Sequence, residues 1–153
     1  MPHYGYSIFG LDPDRTAIAS ARDLDISPKA AREICNTIKG MFLDKAKEYL
    51  EDVTIMKKAV PYKRHKKHVA HRKELVKWPS GRYPIKAAEK ILEVLENAEN
   101  NAEFKGLDVE RMKIIHACSH KGMIVKRFIP RAHGSSSPRY NYLSHIEIAI
   151  EEV

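Results

Sequence analysis

Cysteine is scarce: Cys35 and Cys118 are the only two in 153 residues. They lie far apart and outside any C-x-x-C pair, so a disulfide scaffold is not expected and reduced thiols are. The seven glycines never form G-x-G-x-x-G or G-x-x-x-x-G-K-S/T, which leaves nucleotide hydrolysis and dinucleotide binding without a phosphate cradle. No apolar run approaches the ~20 residues needed to cross a bilayer, and residues 62–78 show no clean basic amphipathic helix for a membrane surface. Residues 1–10 contain neither Lys nor Arg, so no secretory or transit leader is read there and a cytoplasmic protein is expected. No internal repeat or low-complexity tract is present. What remains is a chain 43% hydrophobic and 31% charged, a balance that suits one folded domain spanning 1–153.

Acid is missing from two stretches, and that absence carries the most information. Residues 57–86 hold eleven Lys/Arg and one acid, Glu74; residues 121–142 hold five Lys/Arg and no acid. The remainder of the chain is net acidic, although the whole carries +7. Segregation of this kind predicts a polyanionic partner gripped by the basic stretches, because cations that meet phosphates release condensed counterions. Nucleic acid is the leading candidate.

The apolar pattern supplies a frame for those stretches. Residues 16–24 read as a first strand. Ser27-Pro28 starts a helix, with Ser27 expected to cap it, and Ile34, Cys35 and Ile38 recur at helical spacing up to Gly40. Cys35 on that face reads as a core residue. Leu43, Ala46, Leu50 and Val53 predict a second helix that packs on the first. Pro84 opens the longest helix, with Ile85, Ala88, Leu92, Leu95, Ala98 and Ala102 inward and Glu89, Glu93, Glu96 and Glu103 outward, until Gly106 ends it. Residues 108–119 are strand-like, and Ile146, Ile148 and Ile150 alternate with His145, Glu147, Ala149 and Glu151 as in a half-buried strand. Between them, an arm at about residues 120–142 reverses near Gly134-Ser135; its two limbs could each reach ~30 Å at 3.3 Å per residue. The arm has no core of its own and needs a partner to order it.

From residue 57 to 83 no period holds, which predicts an irregular binding segment. Tyr62, Trp78 and Tyr83 interleave with the cations there and suit either base stacking or packing against the helices. His65, His68 and His71 stand among cations that disfavour a divalent metal, and phosphate or base contact is their better use. His116, Cys118 and His120 share a strand face with ligand chemistry, yet no fourth ligand is identifiable, so no metal site is assigned and a small metal-dependent enzyme stays the lesser alternative. No spacing nominates a catalytic triad. A freestanding nucleic-acid regulator would share the charge pattern.

Several ordered motifs carry a resemblance. Lys39-Gly40-Met41, Asp52-Val53-Thr54, Trp78, Gly81-Arg82, Asn97-Ala98-Glu99-Asn100-Asn101-Ala102-Glu103, Lys105-Gly106-Leu107-Asp108-Val109, Arg131-Ala132-His133-Gly134 and His145-Ile146-Glu147 resemble the universal large-subunit ribosomal protein twenty-two family, in its archaeal and eukaryotic branch. The resemblance runs from about Thr16 to the end. It implies an α+β fold of three helices packed on a small antiparallel sheet, with a long protruding β-hairpin. It also implies a nonenzymatic constituent of the large ribosomal subunit, with no cofactor or metal, whose partners are rRNA, neighbouring ribosomal proteins and the nascent polypeptide, and not a membrane. Carried over by position, Lys63, Arg64, Lys66, Lys67, Arg72, Lys73 and Arg82 in the insertion at 57–82, and Lys121, Lys126, Arg127, Arg131 and Arg139 in the arm, would bind rRNA. Arg131, Ala132, His133, Gly134 and Ser135 would line the peptide exit tunnel.

Overall fold

The structure is a computed structural model that describes residues 5–153, so the leader reading of residues 1–10 and the single-domain reading of 1–153 fall partly outside the described residues. The fold is α+β. Its elements are β1 (Thr16–Leu24), α1 (Pro28–Ile38), α2 (Leu43–Thr54), β2 (Val60–Pro61), β3 (Gly81–Arg82), α3 (Ile85–Phe104), β4 (Met112–Pro130) and β5 (Ser136–Glu152). β1, β5 and β4 form an antiparallel sheet in that order, and β2 and β3 form a separate two-residue ladder. Among the described residues no helix is long and apolar enough to cross a membrane.

α1 starts where expected, with Pro28 in the first turn, and buries Ala30, Ala31, Ile34, Cys35 and Ile38. Ser27 caps it differently from the expectation: its hydroxyl makes no capping bond, and only its carbonyl is used, by the Ala31 N–H at 2.9 Å. Past the helix, Gly40 takes φ +86 and donates its N–H to the Ile114 carbonyl at 2.7 Å, which ties the end of α1 to β4. α1 therefore packs chiefly on β4, and α2 chiefly on α3, in place of the expected α1–α2 pair. α3 serves both β1 and α2, so its buried face is wider than one stripe: Ala87, Ile91 and Val94 join Ala88, Leu95, Ala98 and Ala102, while Ile85 and Leu92 are only partly covered. Glu89, Glu93, Glu96 and Glu103 all face solvent.

The last strand departs most from its pattern. β5 is the central strand, and every residue from Ser144 to Ile150 is buried. Ile146, Ile148 and Ile150 enter the core beside the helices. On the other face, Glu147 accepts from the Ser7 N–H at 2.9 Å and hydroxyl at 2.7 Å, and Arg22 lies 3.3 Å away. The half-buried alternation fails because the chain around Ser7 covers that face. β4 also begins later than its sequence suggests, since Asp108 accepts from the Glu110 N–H and caps a short 3-10 turn (Val109–Arg111) ahead of Met112.

Beyond this body β4 and β5 continue as a two-stranded ribbon, paired without a break from Ile124↔Tyr142 to Pro130↔Ser136. Two irregularities sit at its root, between Ala21 and Leu24 in β1 and between Lys121 and Ile124 in β4, on either side of Ser144 and His145 in β5. Asp23, at φ 50, joins them: its N–H reaches His145 Nδ1 at 3.0 Å, and its carboxylate accepts from the Met123 N–H at 3.3 Å. Bulges strengthen local twist and re-aim a strand, so this cluster sets the direction in which the ribbon leaves the body.

Candidate nucleic-acid interface

The insertion at 57–82 is irregular, as its lack of period predicts, but it is firmly tied to the body. Glu33, fully buried on α1, accepts the main-chain N–H groups of Lys63, Arg64 and His65 at 3.1, 3.0 and 3.0 Å. Trp78 donates its indole N–H to the Tyr62 carbonyl at 2.8 Å, the Arg72 N–H bonds the Pro79 carbonyl at 2.7 Å, and the Gly81 N–H bonds the Ala70 carbonyl at 3.2 Å. With the backbone satisfied inward, Lys63, Arg64, Lys66, Lys67, Lys73 and Arg82 are left exposed. Tyr62 belongs to the core at 5% exposure, which decides for packing over base stacking at that ring. Lys66 and Arg82 lie over the Trp78 and Tyr62 rings at 5.4 and 5.8 Å.

Not every cation of the stretch is free. Arg72 is half-buried, 5.0 Å over the Tyr83 ring, and donates to the Gly81 carbonyl at 3.2 Å. Lys57 and Lys58 pair with Asp52 at 3.0 and 2.6 Å, and hydrogen bonds from Lys58 and then Lys57 hold that carboxyl below its usual range. Lys86 pairs with Asp25 at 2.7 Å. Lys63, Arg64, Lys66, Lys67 and Lys73 have no carboxylate partner among the described residues, and form the open face.

The arm is the second cationic surface. Arg127 and Arg139 stand directly opposite one another across the ladder, and neither is ion-paired among the described residues. Like charges at opposed positions destabilise a ribbon. Together with Tyr140 and Asn141 they line a cavity of about 330 Å³. Exposed Lys126 sits on the other face with Phe128 and Tyr140, whose rings meet edge-on at 6.4 Å. Lys121 lies 4.5 Å over the Tyr142 ring near the root. At the tip, Arg131, Ala132, His133, Gly134 and Ser135 are all exposed. The Arg131 N–H bonds the Ser135 carbonyl at 2.8 Å, and His133 and Gly134 take φ 58 and 72 to close the reversal where it was expected. Asn141 donates to Asp25 at 2.8 Å and moors the lower part of the arm to the body.

Two functional features lay outside the sequence reading. Glu33 shapes the insertion, and Lys29 on α1 faces it across a cavity. A lone acid inside the apolar stripe of α1 was the available signal for Glu33. His116, Cys118 and His120 share the sheet face away from the helices with Glu147. His116 Nε2 meets the Ser7 hydroxyl at 3.2 Å, and His120 Nε2 lies 3.7 Å from Glu147. No group of three His, Cys, Asp or Glu side chains among the described residues converges as metal ligands would.

Comparison with known proteins agrees with this geometry. Residues 19–151 match the model of the family described as ribosomal protein L22p/L17e. Large ribosomal subunit protein uL22 of Methanopyrus kandleri is 51% identical, over 98% of this chain and 96% of that protein. Its namesake in Methanocaldococcus jannaschii is 47% identical over 93% of this chain and 91% of that protein, and that of Nitrosopumilus maritimus 44% over the full length of both.

Proposed function

Because this chain belongs to the ribosomal protein L22p/L17e family, we propose that its insertion and its arm hold large-subunit rRNA, and that the arm's tip lies on the wall of the nascent-peptide exit tunnel. The chain is a structural protein of the large ribosomal subunit and not an enzyme. Lys63, Arg64, Lys66, Lys67, Lys73 and Arg82 bind RNA from the insertion, with Arg72 chiefly bracing it. Lys121, Lys126, Arg127, Arg131 and Arg139 bind from the arm. Arg131 to Ser135, small apart from Arg131 and His133, form the tunnel-facing tip and meet the nascent polypeptide. The body works as one domain beside neighbouring ribosomal proteins.

One observation carries the reading. Arg127 and Arg139 face each other across a ribbon with no acid between residues 121 and 142, an arrangement that costs stability in the free chain and becomes favourable once phosphate enters. Arg suits this use because its planar fork bonds phosphate bidentately and stacks on bases. Replacing Arg127 and Arg139 with Gln should weaken rRNA binding and lower the slope of log affinity against log salt by roughly 0.7–0.9 for each phosphate no longer neutralised. An unchanged slope would remove the arm from the interface.

A further inference from the structure

The insertion and α1 enclose a cavity of about 350 Å³ lined by Lys29 and Ala30 on one side and Tyr62, Arg64, Lys67 and Arg82 on the other, with Ser27 and His65 completing it. No carboxylate lines it. Glu33, one turn along α1 from Lys29, is already engaged by the three main-chain N–H groups of residues 63–65. Successive main-chain N–H groups that converge in this way form an anion nest; here the nest holds an internal carboxylate, and the cationic side chains are left pointing elsewhere. Lys29, Arg64 and Lys67 are exposed and have no ion-pair partner among the described residues. With Arg82, which also donates to the His68 carbonyl at 3.2 Å, they place four cations around one concavity, and these repel each other in the absence of a counter-charge.

We infer that this cavity seats one phosphate group of the RNA backbone, clamped between Lys29 of α1 and Arg64 and Arg82 of the insertion. The inference rests on the reading that the chain binds rRNA and adds a subsite to it. The cavity has room for a phosphate with its adjoining sugar, and the buried Tyr62 ring, with Arg82 5.8 Å over it, helps hold that guanidinium at the cavity wall. Arg supplies forked donors that match phosphate oxygens. An RNA backbone is favoured over a free phosphate because exposed Lys63 and Lys66 alternate along the chain with Arg64 and Lys67 and would contact flanking phosphates of one strand.

The test is a double-mutant cycle on the full chain with Lys29→Gln and Arg64→Gln, two exposed side chains that hold no part of the fold together. Affinity for large-subunit rRNA is measured across a salt series. Each single variant should weaken binding several-fold, and the double should lose distinctly less than the product of the two, because both side chains grip the same phosphate. Strict additivity, or no loss in either variant, would overturn the seat. In a parallel arm, inorganic phosphate alone is titrated at fixed ionic strength. Wild type and double variant should bind it equally weakly; tight phosphate binding by the wild type that the double variant loses, with rRNA affinity equal in the two, would assign the site to a free phosphate and overturn the RNA assignment. A wild-type chain that fails to bind rRNA would defeat the parent reading, whereas a wild type that binds normally with an additive cycle would defeat this inference alone.

Discussion

At the scale of single residues, buried carboxylates organise this protein. Glu33 meets three main-chain donors whose sequence distance from it is about thirty residues, which is why no local pattern announced its partners; only its place in an apolar stripe did. A hydrogen bond to a charged group is worth ~1.5–3 kcal/mol. Glu33→Gln, which offers one acceptor where two worked, should lower stability by about that much and release the amides of residues 63–65 to hydrogen exchange. Retained protection of those amides would contradict the role. Glu147 and His116 give the sheet's second face a pH dependence. Burial is the largest influence on Glu147 and pushes its carboxyl up, but the Ser7 N–H and hydroxyl, with His120 and Arg22, outweigh it and leave the group below its usual value. Its contribution is therefore present above pH ~4.5 and is lost as pH falls through the lowered value. Burial, followed by Lys39, holds the His116 imidazole below its usual value. The unfolded chain then takes up that proton first as pH drops below ~6.5, which also destabilises the fold. The denaturation midpoint should fall in two stages, one beginning below pH ~6.5 and one below pH ~4.5, and Ser7→Ala should weaken the lower one. A flat profile would contradict both assignments.

At the scale of elements, the three helices, β1 and the reversal at Gly134 were legible because each is dictated locally, by apolar period, by Pro28 and Pro84, or by a residue that accepts positive φ. The partners of those elements were not. α1 and α2 have matching apolar stripes, yet each finds a different neighbour, and β5 has the alternation of a half-buried strand while both its faces are covered. Such choices depend on contacts distant in sequence. The aim of the arm is of the same kind. A Cβ on Gly122 would meet Asp23 Oδ1 and His145 Cε1, each at 2.9 Å. The exposed Asp23 carboxylate can swing away, but the buried His145 ring cannot move without giving up the Asp23 N–H. Gly122→Ala should cost ~1–3 kcal/mol and change the distance between spin labels at the tip and on α3. An unchanged distance would show that the Asp23–His145 cluster does not set the arm's direction.

At the scale of the molecule, the candidate interface was largely legible, since charge segregation is visible without any fold: two acid-poor stretches in an otherwise acidic chain. The fold divides their labour. One stretch is pinned to the body through Glu33 and Trp78 and presents a fixed cationic face; the other is a ribbon without a core whose opposed arginines demand an external anion. The committed cations, Lys57, Lys58, Lys86 and Arg72, could not be told from the free ones, because their partners come from other elements. The central claim is that this ribbon is threaded through folded RNA. The most direct test is limited proteolysis of residues 121–142 in the free chain and in large subunits isolated by high-salt gradient sedimentation. The account predicts cleavage in the free chain, co-sedimentation of the chain with the subunit, and full protection there; equal susceptibility in both states would contradict it.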